Sequence, residues 1–271
     1  MRHPTRRSTA GVPRFLADPL PLTFAHRGGM AMPGNVGIEN TLAAFARAVD
    51  MGYRHLETDV HATADGVAVL VHDAELTRVT AGHRTDVVSQ LSWAALSRVR
   101  VGGTEPFARL DELLDTFPDA LVNVDVKDDA AVGPFLAALR RTGAADRVGV
   151  AAFGTARALR LRRALGSDVA VSATPVEVAG WLSRSVLPVT GPRSPRVSYQ
   201  VPEQIGGRQV VTARTVAAAH RLGRQVHVWT VDDPARMHAL LDAGVDGLIT
   251  DRPDVLRDVL VSRGSWQRWQ S

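Results

Sequence analysis

The sequence predicts an α/β protein of the (β/α)8 TIM-barrel class, with a β-hairpin excursion after the second strand. Three observations point there. Short β-branched apolar runs alternate with helical stretches along the whole chain. Several helical stretches close on a glycine, at Gly52, Gly143, Gly166, Gly223 and Gly244, with the next strand close behind. One connection is too short for a parallel crossover, and setting its return strand aside leaves eight strands, the number that closes a barrel. Such barrels need about 250 residues, and the chain has 271.

In chain order the strand candidates are 22–26, 55–60, 67–72, 121–126, 148–151, 169–172, 197–200, 226–230 and 247–250. Helical patterns occupy 40–51, 93–98, 111–116, 131–142, 155–165, 213–222 and 234–243. This βα alternation argues for parallel strands covered by helices. Between 55–60 and 67–72 lie only six residues, His61 to Gly66, so these strands pair antiparallel with a turn at Ala64–Asp65. Thr63 facing Gly66 then sets Glu57 opposite His72, on one face and about 5 Å apart at Cβ. Residues 1–19 read as a flexible N-terminal arm, 20–260 as the barrel and 261–271 as a tail; a Pro/Ser/Gly-rich stretch at 188–195 reads as loose.

Composition narrows the function. Hydrophobic residues make up 45% and charged residues 22%, as in an ordinary globular chain. The absence of cysteine excludes a disulfide scaffold, an iron–sulfur protein and a cysteine nucleophile. The pI of 10.4 suggests nucleic acid until it is set beside a net charge of only +4. Of the 32 basic residues only Lys127 is lysine, and arginine's very high pKa lifts the pI without adding charge at neutrality. No basic run tracks a phosphate backbone, so a small anionic substrate fits better than DNA. The N-terminal segment lacks an apolar signal core and no stretch is apolar enough to span a membrane, so a cytoplasmic location without membrane insertion is expected.

Four clusters carry chemistry. His26-Arg27-Gly28-Gly29 ends the first strand, where barrel active sites are built, and the glycines allow a sharp turn and close backbone approach. Glu57 and Asp59 are two apart on the second strand and share a face, where a hard divalent cation relieves their repulsion. His72, followed by Asp73, is a natural acid or base near neutrality. Asp125 and Lys127 share a face of the next barrel strand. A compact ammonium kept in an arginine-rich chain suggests a confined site. Trp229 can wall the mouth with an apolar face, and Asp251 reads as a cap for the last helix. The remaining histidines, His61 among them, are given no role.

Ala25-His26-Arg27-Gly28, Glu39-Asn40-Thr41-Leu42, Glu57-Thr58-Asp59-Val60, Asp65-Gly66, Val71-His72-Asp73, Asp125-Val126-Lys127, Val228-Trp229-Thr230 and Gly244-Val245-Asp246-Gly247 together resemble the glycerophosphodiester phosphodiesterase family. The resemblance runs from about Leu22 to Leu256, in order. It implies cleavage of glycerophosphodiesters to sn-glycerol 3-phosphate and an alcohol. It also implies a bound divalent cation, Mg²⁺ or Ca²⁺ with Mn²⁺ as a further option. Carried over by position, Glu57, Asp59 and Asp125 are the metal ligands and His26 and His72 the catalytic histidines. Arg27 and Lys127 stand near the phosphate, and Glu39 orients the site.

Two departures stand out. Asp125 replaces the usual glutamate, and a longer segment, 30–38, precedes Glu39 and is expected to line the mouth. The rival readings are a lysophospholipase D-like barrel acting on lipids and a barrel that only binds glycerol phosphates. A metallohydrolase of the amidohydrolase type would want His-x-His on the first strand, where this chain has His26-Arg27.

Overall fold

The structure is a computed structural model that describes residues 12–184, 194 and 196–269. Eight parallel strands close on themselves: β1 (Leu22–His26), β2 (His55–Ala62), β4 (Leu121–Val126), β5 (Val148–Ala151), β6 (Ala170–Ser172), β7 (Val197–Pro202), β8 (Gln225–Trp229) and β9 (Gly247–Thr250). β1 pairs with both β2 and β9, which removes every free edge. β3 (Ala68–Leu70) returns antiparallel along the end of β2. A helix follows each barrel strand: α1 (Leu42–Asp50), α2 (Leu110–Thr116), α3 (Val132–Thr142), α4 (Thr155–Leu165), α5 (Pro175–Arg184), α6 (Ala213–Arg221), α7 (Pro234–Asp242) and α8 (Pro253–Ser262). No helix among the described residues is long and apolar enough to cross a membrane.

The site is positioned by strand alternation. Outward residues such as Leu56, Val60, Val122, Val124 and Val126 pack under the helices in one buried cluster. Inward residues change character along each strand. Phe24 and Leu121 lie in a separate buried cluster with Phe15 and Leu16, toward the N-terminal end. Farther along the same strands the inward positions are His26, Glu57, Asp59, Asn123 and Asp125. One strand face thus supplies an apolar base and a polar mouth.

The described part of the N-terminal segment, from Val12, packs against the base of the barrel. Arg14–Leu16 forms a 3₁₀ turn whose Phe15 and Leu16 are buried, and the Phe15 ring lies where a Cβ on Gly149 would be 2.3 Å away. Apolar side chains that plug a barrel's open base gain more from burial than from freedom, which is why this stretch orders. The tail docks as well: Trp266 packs on Tyr53 with ring centroids 5.2 Å apart, and Trp269 donates its backbone N–H to Gly52 at 3.0 Å. The stretch expected to be loose at 188–195 falls, except for Ser194, outside the described residues.

Two further expectations change. The hairpin register is Val60↔Leu70, His61↔Val69 and Ala62↔Ala68, one residue off the expected pairing, so Glu57 does not face His72. The turn takes an extra residue because Thr63 and Val67 close it: the Thr63 N–H bonds Val67 O at 3.0 Å, and Gly66 adopts φ +77° inside the loop. A three-residue loop with a left-handed glycine is a standard hairpin solution. Helix α5 was not foreseen; it starts at Pro175, whose fixed φ suits a first helical position.

Candidate active site

β1 ends in His26, and the chain then turns through Arg27, Gly28 and Gly29 with φ of +51°, +85° and +84°. A Cβ on Gly28 would lie 2.8 Å from Ala44 Cβ, so glycine lets this turn pack against α1. The turn aims the Arg27 backbone N–H at Glu57 Oε2, 3.1 Å away. Parallel pairing sets His26 beside Glu57 and Asp59 beside Asp125.

His26 is held from two sides. Its Nδ1 lies 2.6 Å from Asp251 Oδ1, and its Nε2 lies 3.7 Å from Glu57 Oε2. Burial opposes the imidazolium, but the Glu57 and Asp251 carboxylates outweigh it and raise the pKa above 6.5. Asp251 therefore does not cap the last helix; the N-cap of α8 is Arg252, with no side-chain cap bond.

His72 leaves the sheet just past β3, where the Val71 N–H still bonds Asp59 O at 3.1 Å. Its Nδ1 lies 2.6 Å from Asp73 Oδ1. Arg78 donates to the other Asp73 oxygen at 2.7 Å and also binds Glu39. Burial would raise Asp73, but the Arg78 and His72 hydrogen bonds hold it below the usual carboxylate range.

The carboxylates of β2 and β4 surround one ammonium. Lys127 Nζ lies 2.8 Å from Asp59 Oδ1 and 2.7 Å from Asp125 Oδ2, and the Arg27 Nε lies 3.1 Å from Asp59 Oδ2. Burial pushes Glu57 up to about 7, with the Asp59 charge adding to it and His26 opposing. Burial would also raise Asp59, yet Lys127 and Arg27 draw it below its ordinary value. Asp125 is raised by burial despite Lys127. Its Oδ1 is buried with no hydrogen-bond partner.

Among the described residues no three carboxylate or imidazole groups converge tightly enough to cage a metal ion as they stand. The donor chemistry still fits a hard cation. Glu57, Asp59 and Asp125 are buried oxygen donors on adjacent strands, and the orphaned Asp125 oxygen and the raised Glu57 and Asp125 pKa values mark carboxylates short of positive charge.

These groups open on a cavity of about 530 Å³ at the C-terminal mouth. His26, Arg27, Glu57, Asp59, His72, Asp125, Lys127 and Trp229 all line it, so the structure brings eight of the nine predicted site residues together. Glu39 lies behind them, buried and bonded to Arg27 at 3.2 Å and to Arg78, a placement that suits an orienting carboxylate. Trp229 meets Phe153 edge-on at 5.8 Å and forms part of an apolar wall with Pro175, Val178 and Ile205. Segment 30–38 does not line the cavity, contrary to expectation. Its Asn35 amide bonds Gly28 O at 2.8 Å, and Met32 is buried, which turns the loop away from the mouth.

Sequence reasoning missed Asp251, Arg78, His61 and Asn40, which hold the site residues or their neighbours from behind. Asn40 donates to Asp59 Oδ2 at 3.2 Å and accepts from Thr58 at 2.7 Å. A position just past the C-terminal end of a barrel strand was the available signal for Asp251.

Comparison with known proteins assigns the chain to a family. Residues 26–255 match the Glycerophosphoryl diester phosphodiesterase family. The chain is 38% identical over 270 residues to a Mycobacterium tuberculosis protein named "Probable glycerophosphodiester phosphodiesterase 2", covering 96% of this chain and 98% of that one. It is 30% identical over 258 residues to a glycerophosphodiester phosphodiesterase of Caldanaerobacter subterraneus subsp. tengcongensis, covering 90% and 98%. The fold matches an Oleispira antarctica phosphodiesterase solved in complex with the product sn-glycerol-3-phosphate, with a TM-score of 0.72, 20% identity, and coverage of 89% and 97%. A barrel with this mouth, matched along nearly its whole length by such relatives, belongs to the glycerophosphoryl diester phosphodiesterase family and is a phosphoric diester hydrolase.

Proposed function

We propose that the chain hydrolyses glycerophosphodiesters to sn-glycerol 3-phosphate and an alcohol, with His26 and His72 as the acid–base pair. One observation carries this reading. Two imidazoles, each with Nδ1 tied to a carboxylate at 2.6 Å, line the same cavity as Arg27 and Lys127.

The chemistry follows from the atoms. A phosphodiester monoanion needs its charge neutralised, the attacking oxygen deprotonated and the leaving alkoxide protonated. Arg27 and Lys127 draw the anion in and offset charge that builds on its oxygens. Because the carboxylates hold both Nδ1 atoms, Nε2 of each ring is the atom left to exchange a proton, and the tautomer is set in advance. One ring takes the proton of the attacking oxygen and the other gives one to the departing oxygen. Glu57, Asp59 and Asp125 would hold the divalent cation, Mg²⁺ or Ca²⁺, which when bound supplies further charge neutralisation at the phosphoryl group. Arg27 and Glu39, locked by Arg78, keep the mouth in register.

A second reading has its own support. The wall of Trp229, Phe153, Pro175, Val178 and Ile205 offers an apolar face to an acyl chain, which a lysophospholipid carries on the glycerol that stays with the phosphate while the headgroup alcohol leaves. Cysteine-free composition and modest net charge support a cytoplasmic enzyme with a small-molecule substrate and no nucleic-acid partner.

The test is release of sn-glycerol 3-phosphate from a panel of glycerophosphodiesters, and of lysophosphatidic acid from a lysophospholipid, before and after chelation and with Mg²⁺, Ca²⁺ or Mn²⁺ restored. Release that chelation abolishes and metal restores supports the reading. No release of either product with any metal favours a barrel that only binds glycerol phosphates.

A further inference from the structure

His61 sits two residues past Asp59 on β2, on the same strand face, and is buried to 8% exposure. Its ring joins two other segments. Nδ1 lies 2.6 Å from Asp128 Oδ2, one residue beyond Lys127, and Nε2 lies 3.1 Å from the backbone carbonyl oxygen of His72. The backbone reinforces the same junction: the Lys127 N–H bonds Val60 O at 3.0 Å, and the Val71 N–H bonds Asp59 O at 3.1 Å. Asp128 is itself fixed, since its Oδ1 accepts the Ala131 N–H at 2.7 Å at the start of α3.

Carboxylate and carbonyl oxygens are both acceptors that only a ring N–H can meet, and no aliphatic side chain of similar size replaces either contact. The two contacts fall on the segments that carry His72 and Lys127. The strand pairing alone does not hold His72, because the β2–β3 ladder ends before it.

We propose that His61 is a positioning residue: it clamps the His72 carbonyl to Asp128 and so fixes the His72 ring relative to the Lys127 ammonium. The proposal rests on the reading of His72 as a member of the acid–base pair. His61 does not line the cavity, so its loss is expected to act on turnover more than on binding. Outer partners that orient a functional group are worth about 10- to 100-fold in activity when removed.

The experiment compares His61→Leu, His61→Gln, Asp128→Asn and His72→Ala for kcat, KM and thermal unfolding on glycerophosphocholine with metal present. The proposal expects His61→Leu to lower kcat about 10- to 100-fold with KM within about twofold. His61→Gln keeps donors on one side and recovers part of the loss. Asp128→Asn retains an oxygen for Ala131 while weakening the His61 contact, so it lowers kcat in the folded protein even where His61→Leu folds poorly. Full kcat in both folded His61→Leu and Asp128→Asn, with His72→Ala inactive, overturns the clamp and leaves the role of His72 standing. A fully active His72→Ala overturns the reading beneath it.

Discussion

Lys127 shows what one side chain decides. Its ammonium fits between Asp59 and Asp125 with both contacts under 3 Å, at 2.8 and 2.7 Å. A guanidinium is planar and wider, so it cannot take both contacts from the same position. Lys127→Arg keeps the charge and is expected to lower kcat about 10²-fold, the cost of losing one donor to the developing charge. Parent-like turnover in that variant would mean that charge alone suffices. His26 depends on Asp251 in the same way. Asp251→Asn removes the carboxylate that fixes the ring tautomer, and kcat is expected to drop about 10- to 100-fold with the thermal midpoint nearly unchanged. Lys127 was legible in the sequence because every other one of the 32 basic residues is arginine. Asp251 was read as a helix cap, because its partner His26 lies 225 residues away in the chain and only its place at the end of a barrel strand pointed to the site.

At the scale of elements, the strands were readable because inward and outward positions alternate and the β-branched runs are short. The hairpin's existence was fixed by the six residues available to connect it, but its register was not. A Thr63–Gly66 closure and a Thr63–Val67 closure satisfy the same hydrophobic pattern, and only the left-handed Gly66 selects the second. Helix α5 escaped notice because Pro175, Gly180 and Ser183 dilute its periodicity. The 3₁₀ turn Arg14–Leu16 escaped because a three-residue plug has no period at all. That turn now carries a prediction. Phe15 is 1% exposed against Phe24, His55 and Gly149, so Phe15→Ala is expected to destabilise the fold by about 3–5 kcal/mol, read from urea unfolding. An unchanged midpoint would show that the base of the barrel is closed without the arm.

The whole barrel stacks two chemical layers on one set of strands. The base buries His227 fully and His55 almost so, and burial lowers both to about 4. The His227 Nδ1 has no hydrogen-bond partner, while Nε2 lies 2.9 Å from Gln225 Oε1. The folded state therefore takes His227 neutral, whereas the unfolded chain protonates it near pH 6.5. Its contribution to stability is complete above pH 6.5 and is lost as pH falls toward 4. Thermal midpoints measured from pH 7.5 to 4.5 are expected to fall less steeply in His227→Gln than in the parent; equal slopes would place the acid sensitivity elsewhere. The mouth is the other layer, and it is where the proposed chemistry would take place.

The account stands most directly on turnover by that mouth. The measurement is the rate of sn-glycerol 3-phosphate release from glycerophosphocholine, with a divalent cation present, by the parent protein, His26→Ala and His72→Ala, each shown to be folded. Release by the parent is expected, with a loss of about 10²- to 10⁴-fold in each variant. Near-parent rates in both folded variants would contradict it.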